Sequence, residues 1–282
     1  MDWIALSKAR IQIISLLGAE LCLVMAYGGI PDPALLIHLA IGLTGTSCAA
    51  SAINQILEVN ADRKMNRTEN RPLPTGRISL RTAWIFSAIT GLGGLAWCAL
   101  FINPLTAWLA LVMIVTYDFI YTPLKRKTPL NTIVGAVPGA MPLLIGWASA
   151  GRGLDMMAGI LFAILFVWQL PHFLAIAWMF REDYEKGGML MLSNAVHPDA
   201  TSRQGVQGAI LLLPASLLPL LAAPIGKLYF YGALSSGLFY LALVIHFGKN
   251  KSEKRARRVL RASIIHLPLL LGLLAWDWFS TS

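Results

Sequence analysis

Apolar residues run along this chain in nine long blocks separated by polar stretches. The blocks cover about residues 11–30, 33–57, 82–102, 104–122, 130–149, 156–179, 206–225, 228–247 and 260–279. Each is close to the roughly 20 residues a helix needs to cross the hydrocarbon core of a bilayer. Pro31, Pro33, Pro104, Pro129 and Pro224 fall near block ends, where proline starts or stops helices. The pattern predicts an all-α integral membrane protein with nine transmembrane helices. The first block follows Lys8 and Arg10, as the apolar core of a signal peptide would. It is as long as a full span and shows no clear small-residue cleavage site, so it reads as a helix that stays.

Composition sharpens this picture. The chain has 282 residues, 56% hydrophobic and 13% charged, with a mean hydropathy of +0.64. Soluble domains carry about 25% charged residues. Half that charge excludes an ordinary soluble enzyme, a disordered chain and a typical nucleic-acid binder. Nine spans leave about 100 residues for connections, too few for a second domain, so residues 1–282 read as one transmembrane domain. Cys22, Cys48 and Cys98 lie in apolar stretches at no metal-ligand spacing and read as small core residues.

The net charge of +9 is decided by where the lysines and arginines sit. If the connections alternate sides, the N-terminal side has Lys8 and Arg10, six cations between Arg63 and Arg81, and Lys125, Arg126 and Lys127. It also has Arg181, Lys186 and Arg203, then seven cations from Lys249 to Arg261. Only Arg152 and Lys227 fall on the other side. The positive-inside rule makes the crowded side cytoplasmic. The N-terminus is therefore expected in the cytoplasm and the C-terminus on the opposite side. The basic run 249–261 reads as loop charge of the same origin.

Candidate chemistry gathers on that face. Asn54, Glu58 and Asp62 recur every four residues, which places them on one helix stripe. Such oxygen ligands suit Mg²⁺, commonly held by one or two carboxylates plus substrate phosphates. Arg67 and Arg71 continue the four-residue step, and guanidinium forks suit phosphate oxygens. A second segment, Tyr117 to Asn131, sets Tyr117 and Tyr121 beside Lys125, Arg126 and Thr128. A third runs from Trp168 to Tyr184. In it Pro171 interrupts an apolar helix next to His172 and Phe173, with Trp178, Glu182, Asp183 and Tyr184 following. An ionisable residue inside a span, such as His172, is a functional candidate by default. His246 and His266 are weaker ones.

Three strings carry a resemblance: NQILEVNADRKMNRTENRPLPTGR from Asn54, YTPLKRKTPLN from Tyr121 with the following GAVPGAMPLLIGW, and WQLPHFLAIAWMFREDY from Trp168. The chain resembles the UbiA superfamily of intramembrane prenyltransferases, and within it the heme-farnesylating branch. The resemblance covers nearly the whole chain. It implies a bundle of nine helices around a central cavity, with an active site capped on the cytoplasmic side.

The family holds Mg²⁺ and a diphosphate with two acidic motifs. The first falls here on Asn54, Glu58 and Asp62; position 58 is Glu where many members have Asp. The second is reduced. Glu182 and Asp183 match its end, while its earlier acidic positions are apolar or aromatic around His172 and Phe173. The resemblance implies catalytic roles for Asn54, Glu58, Asp62, Glu182 and Asp183, and metal ligation by Asn54, Glu58, Asp62 and Asp183. It gives diphosphate binding to Arg67, Arg71, Lys125, Arg126 and Thr128. A heme or prenyl wall would come from Tyr117, Tyr121, His172, Phe173, Trp178 and Tyr184. The implied substrates are farnesyl diphosphate and heme B, in a lipid setting and a bacterial cytoplasmic membrane. Terminal-oxidase assembly factors or a heme A synthase are the implied partners; nucleic acid is not. Two rival readings are a prenyltransferase acting on another aromatic or chlorophyllide acceptor, and a small-molecule transporter. The chain shows no internal repeat, and its polar residues crowd one face, unlike a transporter.

Overall fold

The structure is a computed structural model that describes residues 1–195 and 198–281. Positions 196 and 197, inside the polar stretch 181–203, lie outside the described residues. Its regular structure is helical, with no strand among the described residues. The elements are α1 (Asp2–Ser7), α2 (Ala9–Tyr27), α3 (Pro33–Asp62), α4 (Leu80–Phe101) and α5 (Pro104–Ile114). A π-helix, Val115–Tyr121, joins α5 to α6 (Thr122–Leu124). Then come α7 (Asn131–Ser149), α8 (Met156–Met179), α9 (Arg181–Lys186), α10 (Leu192–Ala195), α11 (Pro198–Leu217), α12 (Pro219–Ala222), α13 (Lys227–Lys249) and α14 (Glu253–Thr281).

Among the described residues, nine helical stretches are long and apolar enough to cross a membrane, matching the nine apolar blocks. This is a multi-pass integral membrane protein. Helices satisfy every backbone polar group internally, which the bilayer interior demands. Large apolar side chains point outward, among them Ile11, Ile14 and Leu17 on α2 and Ile85, Ile89 and Leu92 on α4. Polar Asn54, Gln55, Glu58 and Asp62 of α3 point inward.

Helix ends depart from the block boundaries where charge hides the helix. α3 runs on to Asp62, because its last two turns are the polar stripe itself. α14 starts at Glu253 rather than near 260. Its first turns are charged but still helical, and Arg257 pairs with Glu253 one turn earlier. Hydropathy marks only the lipid-facing part of such helices. Caps fix several starts: Asp32, Ser79, Asn103 and Asp155 each accept a backbone N–H of the first turn.

The chain's contacts fall into two compact units. One comprises Met1–Leu154 with Glu182–Leu190; the other comprises Asp155–Arg181 with Met191–Ser282. In the first, α3 and α4 approach through small residues. A Cβ on Gly94 would lie 2.8 Å from the Thr46 backbone nitrogen, and one on Gly42 would meet Cys98 Sγ. Gly146 of α7 lets that helix touch α2, where an added Cβ would overlap the Ala19 carbonyl. Small residues at such crossings are how membrane helices pack closely. In the second unit, Asp277 accepts the Tyr229 N–H at 2.9 Å and so caps α13 from α14. Tyr229 Oη donates to the Ser216 carbonyl at 2.6 Å.

Candidate active site

The inner end of α3 brings the three stripe residues to one buried face; Asn54, Glu58 and Asp62 are 1%, 5% and 0% exposed. Each meets a different element of the first unit. Asn54 Nδ2 donates to Thr122 Oγ1 at 2.9 Å, and Thr122 in turn donates to the Tyr117 carbonyl at 2.9 Å. That carbonyl belongs to the π-helix, so Thr122 closes an irregular turn and aims the amide at once. Asn54 Oδ1 accepts from Lys8 Nζ at 2.7 Å. Glu58 Oε1 accepts from Lys125 Nζ at 2.8 Å. Asp62 Oδ2 accepts from Arg71 Nη1 at 2.8 Å.

The polar loop after α3 is held by the segment from α9. Asp183 Oδ1 accepts the Asn66 N–H at 3.3 Å, and its Oδ2 accepts the Arg67 N–H at 3.1 Å. Arg67 reaches Tyr184, donating to its hydroxyl at 3.3 Å and lying over its ring. The Thr68 hydroxyl donates to the Asp62 carbonyl at 3.0 Å. The far end of this segment is tied to the Lys125 turn: the Leu190 N–H donates to the Lys125 carbonyl at 2.6 Å, and Asn131 Nδ2 donates to the Leu190 carbonyl at 2.8 Å. Both acidic motifs therefore meet in one compact unit, although about 120 residues separate them in sequence.

Aromatic faces complete the site. Tyr117 and Tyr121 lie 5.6 Å apart, ring centre to ring centre. Lys125 Nζ sits 4.5 Å from the Tyr121 ring centre, a cation–π distance. Gly135 leaves the room: a Cβ there would clash with the Tyr121 ring. Burial works to lower the Lys125 pKa, but the Glu58 carboxylate outweighs it and holds the ammonium above the ordinary lysine range. Lys8 is pulled the other way, from 10.5 to about 7, first by burial and then by the cations of Arg71 and Lys125.

These side chains fit a divalent cation with a diphosphate. Asp62 Oδ1 is enclosed and has no hydrogen-bond partner, the condition of an oxygen suited to a cation. Among the described residues no three acidic, histidine or cysteine side chains form a ready-made metal cage, so the expected ligands Glu58, Asp62 and Asp183 are not gathered around one point.

Residues 13–267 match the UbiA prenyltransferase family. The chain belongs to that family. It is 40% identical to the protoheme IX farnesyltransferase of Solibacter usitatus (strain Ellin6076) over 98% of both chains. It is 39% identical to the protein of that name from Koribacter versatilis (strain Ellin345), over 98% of this chain and 93% of the relative. Its fold matches a digeranylgeranylglyceryl phosphate synthase with a TM-score of 0.83, 19% identity, and coverage of 99% of this chain and 98% of the other. A UbiA homolog from Archaeoglobus fulgidus, bound to DMAPP and Mg²⁺, matches with a TM-score of 0.71, 14% identity, and full coverage of both chains. The fold is that of the UbiA enzymes, and the chain is a prenyltransferase.

The remaining expected site residues of this UbiA chain make other contacts than those of the α3 stripe. Arg126 and Glu182 are exposed. Thr128 serves the start of α7: its hydroxyl accepts the Leu130 N–H at 3.3 Å and its carbonyl accepts from Asn131. His172, Phe173 and Trp178 belong to the second unit. His172 Nδ1 shares a 2.7 Å hydrogen bond with Ser263 Oγ. The His172 ring stacks on Trp168 at 4.7 Å and meets the Phe173 ring edge-on. Trp178 is buried under Phe247 and the Arg181 guanidinium.

Sequence reasoning missed three members of the first unit's site. Lys8 is accounted for by topology, so its reach to Asn54 is invisible. Thr122 lies within a recognised string but looks like spacer. Asp118 is fully buried, and neither of its carboxylate oxygens has a hydrogen-bond partner. An acid inside an apolar block was the signal for it.

Proposed function

We propose that this chain is a heme B farnesyltransferase, transferring farnesyl from farnesyl diphosphate to a porphyrin vinyl group to give heme O. The observation that carries this is the α3 stripe: two buried acids and an amide, each met by a cation, beside a loop clamped by Asp183. The near full-length likeness to protoheme IX farnesyltransferases supports the choice of acceptor. Asn54, Glu58, Asp62 and Asp183 are the residues that would hold a divalent metal, Mg²⁺ in this reading, which would supply Lewis-acid neutralisation of the diphosphate charge.

The side chains perform the rest by electrostatics. Breaking the allylic C–O bond moves an electron pair onto the diphosphate. Arg71 and Lys125, preorganised by Asp62 and Glu58, and Arg67, held by Tyr184, are the donors for that charge in this reading, with Arg126 and Thr128 assigned to the diphosphate from the resemblance alone. The farnesyl fragment left behind is an allylic cation, and the faces of Tyr117, Tyr121 and Tyr184 stabilise it. The vinyl carbon of heme B attacks, forming the new C–C bond. Water captures the cation next to the porphyrin and loses a proton, leaving a hydroxyethylfarnesyl group. His172, Phe173 and Trp178 are assigned to heme binding from the family resemblance alone. With His172 Nδ1 committed to Ser263, Nε2 is the nitrogen offered to iron or to a propionate.

The chain acts as one domain in a bacterial cytoplasmic membrane, N-terminus inside and C-terminus outside. Its product serves a heme A synthase or terminal-oxidase assembly. The test is pigment extraction from cells lacking their own heme O, with and without this chain. A farnesylated heme peak that disappears with Asp62→Asn is the expected result. No new heme with the native chain, or a prenylated quinone instead, refutes the assignment.

A further inference from the structure

Lys8 occupies a place that a cytoplasmic flank residue has no need of. It is the only non-glycine residue with positive φ among the described residues, at φ 54° and ψ 41°. Left-handed backbone at a side-chain-bearing residue persists only where its surroundings over-determine it, and such positions cluster at functional sites. Here the surroundings are built. The kink ends α1 and starts α2. Gln55 of α3 donates to the Leu6 carbonyl at 2.7 Å and to the Ala5 carbonyl at 3.2 Å, and Gln12 donates to the Ser7 carbonyl. Leu6 is fully buried against α3. The junction is thus pinned to the residue next to Asn54.

What the junction delivers is one ammonium group. Lys8 Nζ donates to Asn54 Oδ1 at 2.7 Å and to Tyr117 Oη at 3.4 Å. Arg71, Lys125, Glu58 and Asp62 all lie within electrostatic reach of it. Asn54 Nδ2 is committed to Thr122, so Oδ1 is the only atom of this amide that can accept a cation. The oxygen that Lys8 holds is therefore the one a divalent metal needs. A tethered ammonium and a divalent ion repel each other over that oxygen unless an anion lies between them. A diphosphate is such an anion, with oxygens enough for both.

Resting on the metal–diphosphate reading of this site, we propose that Lys8 is a built-in counter-cation that couples the two ligands. It keeps Asn54 Oδ1 until a diphosphate arrives and then transfers to the diphosphate, so that the metal binds together with its diphosphate rather than ahead of it. Coupling of this kind is reciprocal: by whatever factor bound diphosphate raises the affinity for the metal, bound metal raises the affinity for diphosphate.

The test uses the full chain in detergent and reads binding, not turnover. Mn²⁺ affinity is followed by electron paramagnetic resonance, and farnesyl thiodiphosphate affinity by calorimetry at saturating Mg²⁺. Lys8→Met is expected to tighten Mn²⁺ alone at least threefold and to weaken farnesyl thiodiphosphate at least tenfold. Lys8→Arg, which keeps the cation, stays within threefold of the native chain in both. Lys8→Gly suits the positive φ, so it repeats the Lys8→Met result without stressing the junction. Both affinities falling together, or neither changing, in Lys8→Gly overturns the proposal, since a merely structural lysine cannot move them in opposite directions. Asp62→Asn separates the two levels of reading. If it too leaves both affinities intact, the site itself is misassigned; if it abolishes them while Lys8→Gly does nothing, only the role of Lys8 falls.

Discussion

Lys125→Met removes one half of an enclosed ion pair and leaves the other half in place. The Lys125 and Glu58 side chains are 12% and 7% exposed, with the ammonium 2.8 Å from the carboxylate oxygen. At an effective dielectric constant of 20, charges at 2.8 Å attract by about 6 kcal/mol. Much of that is offset by desolvating both groups. The loss on breaking the pair is set instead by the charge left alone, about 3–5 kcal/mol for a buried pair. Lost contact with the Tyr121 ring adds about 0.5–1 kcal/mol.

The assay can use the chain's own thiols. Its cysteines are Cys22, Cys48 and Cys98, all within the first unit, and Cys22 and Cys98 are fully buried. A thiol-reactive dye in a thermal ramp with chelator therefore reports opening of that unit. Lys125→Met should lower the midpoint by on the order of 10 °C. Removing both charges with Glu58→Gln/Lys125→Met should give part of this back, since no lone charge remains. The reasoning fails if Lys125→Met melts with the native chain, or if the two single losses add within about 0.5 kcal/mol in the double variant.

Further outcomes follow from the same geometry. Thr122→Val keeps the side-chain shape but frees the Asn54 amide, and should weaken Mn²⁺ binding with diphosphate by about 10–100-fold; unchanged binding would mean the amide is oriented by something else. Gly146→Ala drives a Cβ into the Ala19 backbone and should cost about 1–3 kcal/mol or more in the thiol-dye ramp, whereas Gly93→Ala, with nothing within 4 Å, should not lower the midpoint. Asp183→Ala deletes two charge-assisted acceptors of the loop amides, worth about 1.5–3 kcal/mol each. Trypsin should then cut faster after Arg63, Lys64 and Arg67, with turnover falling alongside; an unaltered digestion rate would count against the clamp.

The nine spans were legible because lipid is a uniform solvent: any helix crossing it must show about 20 apolar residues whatever it packs against. The α3 stripe was legible because helical spacing alone brings Asn54, Glu58 and Asp62 to one face. Partnerships were not. Glu58 and Lys125 are far apart in sequence, and only the folded unit joins them. Lys8 was hidden for a different reason. The positive-inside rule already explains every cation near a helix start, so a lysine with a second task leaves no surplus signal. The π-helix was hidden too, because Val115 to Tyr121 has the same apolar texture as an ordinary span.

That π-helix has a consequence for how this enzyme could change over time. A wide turn within an α-helix amounts to a surplus residue, so everything after it is out of phase with the helix before it. Removing one residue there, for instance the exposed Phe119, takes out the surplus while the helix returns to regular winding of about 100° per residue, and the two changes cancel. Lys125 would stay on Glu58, and Thr122 on Asn54. A lost codon in any regularly wound span would turn everything after it to another face, but this turn can absorb one without moving the site's side chains.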